Sequence, residues 1–220
     1  PGKDVAQTGA KEDAYARFAG IYDCVLNPVL EGMRRKVNEV ILSEGLLRVV
    51  DLCCGTGRQC ILLHARGVAT LGVDASVSML QQARRKSPAG ISYRHEDASN
   101  TSLEASSCDG VLLSLALHEK SPHVRRAILE EAGRIVKPEG AVLIVDYTRP
   151  ETLASRILWP LILLVERVAG AEHARNQKLY MLEGGLEGLE VGPKEWQRQR
   201  LLPVCLGSMA IAVYRRGQRA

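Results

Sequence analysis

Leu47-Arg48-Val49-Val50-Asp51-Leu52-Cys53-Cys54-Gly55-Thr56-Gly57 is the stretch from which the fold is read. Its first six residues are an apolar run of strand length that carries an acid near its end, and two glycines one residue apart follow. Glycine lacks Cβ and enters left-handed backbone freely, so a Gly-x-Gly turn lets main chain approach a ligand with no side chain between. Arg58 to Arg66 then carries Ile61, Leu62 and Ala65 at helical spacing until Gly67 stops the run. The free amides at the start of such a helix favour a negative or strongly polar ligand group. Cys60 stands where a dinucleotide fingerprint has its third glycine, so the turn marks an adenosine-type site without naming the cofactor.

The alternation continues downstream. Ala69 to Asp74 reads as a second strand, Ser76 to about Lys86 as a helix that Ser76 can cap, and Ser92 to Glu96 as a third strand after the breakers Pro88 and Gly90. Ser99 to Ser107 is loop, and Cys108 to Leu117 is an unbroken apolar run of the kind found where both sheet faces are covered. Pro122 to Val136 places Val124, Ala127, Ile128, Ala132 and Ile135 on one helical stripe; Lys137-Pro138-Glu139-Gly140 is then a turn and Ala141 to Tyr147 a fifth strand. This succession predicts a doubly wound α/β sheet with right-handed crossovers.

Beyond Tyr147 two helical stretches, about Glu151 to Gly170 and His173 to Gly185, precede the segments Glu195 to Leu202 and Gly207 to Arg215. The short connector Pro203 to Leu206 favours an antiparallel pair there. Glu12 to Leu42 reads as helical with an extended break at Asn27-Pro28, and the flanking helices are the natural place for a lid. The expected organisation is a lid segment over residues 1–45 and a core over 46–220 with a helical insertion at about 150–190.

The bulk properties fit one compact domain: 220 residues, 46% hydrophobic, and a net charge of +4 from 29 basic and 25 acidic residues. The small basic surplus and the low aromatic content argue against nucleic acid as a partner. Six cysteines without C-x-x-C pairing read as reduced thiols of a cytoplasmic protein. Residues 1–19 show no secretory h-region, and the apolar run Ile157 to Val165, broken by Pro160, is too short to span a bilayer. Flanked by Arg156 and Arg167, that run is either a buried helix or an apolar acceptor channel with peripheral membrane contact.

Three acids end successive parallel strands on one sheet edge: Asp51, Asp74 and Asp97. Acids are seldom buried without partners, and Asp74 is placed where a carboxylate accepts from both ribose hydroxyls. The histidines His64, His95, His118, His123 and His173 are scattered along the chain, with no metal-ligand spacing, and no metal is expected. His118 and Glu119, just past the fourth strand, are the candidates for a base.

Val49 to Gly57 resembles the first motif of class I S-adenosylmethionine-dependent methyltransferases. Asp74, the pair Asp97-Ala98, Cys108 to Ser114 and Arg134 to Gly140 resemble the later motifs in the family's order, with Cys53 where many relatives have glycine. The resemblance implies a Rossmann-like, mostly parallel seven-stranded sheet with an antiparallel C-terminal strand and an N-terminal helical lid. It implies that Asp51, Gly55 and Gly57 line the methionine part of the cofactor, that Asp74 holds the ribose, and that Ala75 and Met79 flank the adenine. Asp97 would accept from the adenine amino group beside Ala98, and Leu115 would close the pocket. Arg17 to Asp23 resembles the lid of the branch that methylates quinone precursors, phospholipids and small molecules, with Tyr15 and Tyr22 covering the methionine end. Glu172 to Asn176 with Gly184-Gly185-Leu186 is similar to the same branch. A small-molecule or lipid-like acceptor follows, methylated by direct displacement. The alternatives are a nicotinamide oxidoreductase, which leaves Asp97 and the antiparallel pair unexplained, and a non-catalytic binder of S-adenosylmethionine.

Overall fold

The computed structural model describes residues 27–191 and 196–217. Helix α1 (Asn27–Ser43) leads into β1 (Arg48–Leu52), α2 (Arg58–His64), β2 (Ala69–Asp74), α3 (Val77–Lys86) and β3 (Ser92–His95). Strand β4 (Cys108–Ser114), α4 (Pro122–Ile135) and β5 (Val136–Tyr147) follow; then come α5 (Leu153–Ala169), α6 (Ala171–Leu182), β6 (Trp196–Val204) and β7 (Met209–Arg216). The strands form one seven-stranded sheet in the order β3-β2-β1-β4-β5-β7-β6. β1 to β5 are parallel, whereas β7 runs antiparallel to β5 and β6. The strand order reverses at β1/β4, which opens a crevice at the carboxyl ends of those strands.

The central strands are apolar on both faces because helices cover both. Val111, Leu112 and Leu113 of β4 are fully buried, as are Val142, Ile144 and Val145 of β5. Helix α1 belongs to the same core, through Leu30, Met33, Val37, Val40 and Ile41. Asn27-Pro28, read as an extended break, is instead the start of this helix: proline is tolerated in a first turn, where its missing amide has no partner to lose.

Two further boundaries differ from the sequence reading. Cys108 pairs with Val136 and Gly110 with Ala141, so Lys137 to Gly140 bulge out of a ladder that already begins at Val136. Gly140 is required there, since a Cβ would lie 2.5 Å from the Asp109 carbonyl oxygen. β4 ends at Ser114 rather than Leu117, because Leu115 turns left-handed at φ 53°. The long helix past Tyr147 runs through Pro160 and is divided from the next at Gly170, whose φ of 131° few other residues adopt. Among the described residues no helix is long and apolar enough to cross a membrane.

Candidate active site

The turn after β1 is held from behind by β2. Cys54 N–H donates to the Val73 carbonyl at 3.0 Å, and Gly55 N–H donates to Asp74 Oδ2 at 2.8 Å. Asp74 Oδ1 accepts from Ser76 N–H at 2.8 Å, and the Ser76 hydroxyl in turn caps α3 by accepting from Met79 N–H. Asp74 therefore ties the glycine turn to the start of α3, while each oxygen keeps a lone pair for a ligand. Burial raises its pKa, and the Ser76 and Gly55 amides partly offset this. Ala75 is exposed and Met79 half-buried on the same rim.

Cys53, Gly55 and Gly57 adopt φ of 62°, 53° and 73°. Cys53, standing where the family pattern has glycine, thus accepts a conformation that glycine adopts without strain. A Cβ on Gly57 would collide with the Tyr93 hydroxyl, whereas a Cβ on Gly55 would meet nothing within 4 Å. Gly57 is consequently a packing glycine. Gly55, by contrast, faces open space.

Asp51 lies inside the turn, 2% exposed. Its Oδ2 accepts from Cys60 Sγ at 3.4 Å, which gives the residue at the third-glycine position a task no glycine performs. Its Oδ1 has no hydrogen-bond partner among the described residues. Burial pushes the Asp51 carboxyl up to about 7, against the lowering effect of Cys60 and Arg34. A buried, unpartnered carboxylate oxygen beside an open glycine turn fits a ligand that carries an ammonium group, as the methionine part of S-adenosylmethionine does. At the next strand end, Asp97 is exposed and uses Oδ1 to accept from Ser99 N–H (2.8 Å) and Ser99 Oγ (2.7 Å), while Ala98 is buried. Leu115, half-buried, anchors its amide on the Val145 carbonyl at 2.8 Å. Tyr15 and Tyr22 lie outside the described residues.

Past β4 the chain enters a buried polar cluster. His118 Nδ1 contacts Asp146 Oδ1 at 2.7 Å, and Asp146 Oδ2 accepts the Leu117 and His118 amides at 3.1 and 3.2 Å. His118 Nε2 faces Glu166 Oε2 at 3.6 Å, and His173 Nε2 faces the same oxygen at 2.5 Å. Glu119 Oε2 lies 3.3 Å from His173 Nδ1, and Tyr147 donates its hydroxyl to Glu166 Oε1 at 2.8 Å. Burial would lower the His118 pKa, but the neighbouring carboxylates, Asp146 foremost, push it up to about 9. Glu119 and Glu166 are held below the usual carboxylate range despite burial, by Lys120 and His118 in the first case and by the two histidines in the second. The charges of Glu119 and Lys120 reach Asp74 and Cys53, so the cluster adjoins the glycine turn.

His118 and His173, which sequence spacing set apart, thus meet in one place. Asp146, Glu166 and Tyr147 escaped the sequence reading altogether. Asp146 had a visible signal, since it is one more acid near the end of a parallel strand; Glu166 had none, because its partners come from other elements.

The comparisons with known proteins agree with this geometry. Residues 49–140 match the family described as methyltransferase domain. The chain is 33% identical over 113 residues to an uncharacterized methyltransferase of Synechocystis sp., an alignment covering 51% of each. It is 28% identical over 149 residues to the demethylmenaquinone methyltransferase of Staphylococcus saprophyticus, covering 64% of this chain and 63% of that one. The chain thus spans between half and two thirds of the length of these curated relatives. Among solved structures the DhpI–SAH complex superposes with a TM-score of 0.62 at 18% identity, over 96% of this chain and 97% of that one, a likeness of fold. Over residues 49–140 the matched domain, with the sheet order and the glycine turn, is that of the class I S-adenosylmethionine-dependent methyltransferases.

Proposed function

We propose that this protein transfers the methyl group of S-adenosylmethionine to a small-molecule or lipid-like acceptor by direct displacement. The observation that carries the cofactor half is the glycine turn with Asp51 Oδ1 buried and unpartnered beside it. When bound, the cofactor supplies a methyl group already activated by a sulfonium centre, so the protein's work is alignment and exclusion of water. Asp51 accepts from the ammonium group, Gly55 leaves room for the methionine chain, Gly57 sets the turn and Asp74 receives the ribose hydroxyls. Ala75 and Met79 flank the adenine, Asp97 accepts from its amino group beside Ala98, and Leu115 closes the pocket. Tyr15 and Tyr22 are assigned to the lid.

His118 and Glu119 stand at the acceptor end. Both His118 nitrogens already face carboxylates, so we assign control of acceptor ionisation to the whole group of His118, Glu119, Glu166 and His173 rather than to one base. The lipid-like reading draws on Leu153, Ile157 and Leu164, which are exposed on one side of α5, with Leu206 exposed on the turn that packs beside it. Demethylmenaquinone methyltransferases among the relatives point the same way. The five described cysteines are free, in keeping with a cytoplasmic location.

Calorimetric titration with S-adenosylmethionine and with NAD(H) separates this reading from an oxidoreductase; NAD(H) binding with no response to S-adenosylmethionine would overturn it. A panel of quinone precursors, lipid headgroups and small amines, assayed with labelled cofactor, then tests the acceptor. Binding without acceptor-dependent turnover across the panel would favour a non-catalytic binder.

A further inference from the structure

The cluster past β4 contains more than a base needs. His118, Glu166 and His173 each present one donor atom, all within 4.8 Å of one another, and His118 and Glu166 are buried. They come from three places: the segment after β4, helix α5, and helix α6 across the Gly170 break. We propose that these three side chains bind a divalent first-row transition-metal ion, for which zinc is the ion to test. Two imidazoles and one carboxylate are a donor set that zinc accepts, and three protein ligands leave one position open.

The surroundings support this more strongly than the three residues alone. In metal centres the far side of each ligand is itself held, usually by a carboxylate on the second imidazole nitrogen. Here Asp146 holds His118 Nδ1 at 2.7 Å, Glu119 faces His173 Nδ1 at 3.3 Å, and Tyr147 donates to Glu166 Oε1 at 2.8 Å. All three remaining donors, His118 Nε2, His173 Nε2 and Glu166 Oε2, are thereby turned toward one another. Glu166 Oε2 is in ion-pair contact with the histidines yet has no aligned hydrogen bond, although its residue is 4% exposed. With both imidazoles neutral, as ligation requires, the carboxylates of Asp146, Glu119 and Glu166 exceed the Lys120 cation by two charges, so a dication that displaces the His118 proton suits the local charge.

The spacing is compatible. Donors bound to tetrahedral zinc stand roughly 3.3 Å apart. His118 Nε2 and Glu166 Oε2 are at 3.6 Å; His173 Nε2, at 2.5 Å from Glu166 Oε2, has to withdraw by a side-chain rotation. Given the methyl-transfer reading above, the open position takes an acceptor oxygen or sulfur.

The test uses the full chain stripped with a chelator. Cobalt(II) is titrated with visible absorption as the readout, and zinc is titrated in competition with a chromogenic chelator. One equivalent of each ion is expected, with the visible bands of a four- or five-coordinate cobalt site. Glu166→Gln and His173→Gln should each weaken zinc at least tenfold, and Asp146→Asn about tenfold through its loss of hold on His118. Circular dichroism and thermal unfolding of the same variants check that they are folded. Absence of cobalt bands, substoichiometric zinc, or zinc affinity unchanged in both ligand variants would overturn the proposal and leave a metal-free ion-pair network. Zinc binding that holds while S-adenosylmethionine binding fails in the unsubstituted protein would instead sink the methyl-transfer reading and keep the metal site.

Discussion

Asp51 is the residue whose environment makes the most specific demand. With its carboxyl raised to about 7 before a ligand arrives, it is half protonated near neutrality, and only the anion attracts an ammonium group. An α-amino group, with an ordinary pKa of about 7.7–8.0, is mostly protonated below pH 7, so on the proposed contact the chief loss of affinity at lower pH follows protonation of Asp51. S-adenosylmethionine affinity is therefore expected to fall by about tenfold or more from pH 7.5 to 5.5, since each unit below the pKa removes roughly a factor of ten of the anion. Asp51→Asn should bind more weakly at pH 7.5 and show a flat profile in calorimetry. The two glycines nearby separate fold from ligand in the same manner. Gly57→Ala drives a methyl group into the Tyr93 hydroxyl and is expected to cost about 2 kcal/mol or more in denaturant unfolding. Gly55→Ala meets open space and pays mainly for its left-handed backbone, about 1 kcal/mol, while its methyl group occupies the ligand's place. It should stay folded and lose cofactor binding.

At the scale of elements, legibility follows how local the cause is. Asp51, Gly55, Asp74 and the Ser76 cap lie within a strand-turn-helix unit or its neighbour, so sequence spacing locates them; the structure adds that Asp74 also ties the turn to α3. Glu166 and His173 become partners only because Gly170 divides α5 from α6 and folds one against the other, and periodicity within one helix cannot express that. The Lys137 to Gly140 bulge was missed for a related reason: Pro138 signals a break, but whether the ladder resumes before it depends on Cys108 in another strand. Gly170, at φ 131° and ψ 160°, occupies backbone space that other residues reach only under strain of about 1–3 kcal/mol. Gly170→Ala should accordingly lower the thermal midpoint and displace Glu166 relative to His173, which a two-dimensional NMR spectrum of the histidine side chains would report as shifted His118 and His173 resonances.

For the molecule as a whole, α1, the sheet and the α5–α6 pair share one apolar core, so unfolding should be a single cooperative transition. Ile144, wholly buried in β5, is a representative member: Ile144→Ala is expected to cost about 2–5 kcal/mol in denaturant unfolding, without a change in the cofactor's stoichiometry. A cofactor that binds only the folded chain stabilises it by about 2.7 kcal/mol at one hundred times its dissociation constant. For a chain of this size that is a rise in thermal midpoint of roughly 5–10 °C, measurable by scanning calorimetry.

The placing of β7 between β5 and β6 has a consequence for the order in which the chain assembles. Val142 to Tyr147 find their partners in Met209 to Tyr214, more than sixty residues later. As the polypeptide emerges from the ribosome, the cofactor turn, its acids and the first five strands are all present while β5 still shows a bare apolar edge. Such an edge is a template for a second chain, so the nascent protein is most exposed to misassembly, and most in need of a chaperone, after its glycine turn and parallel strands are already complete.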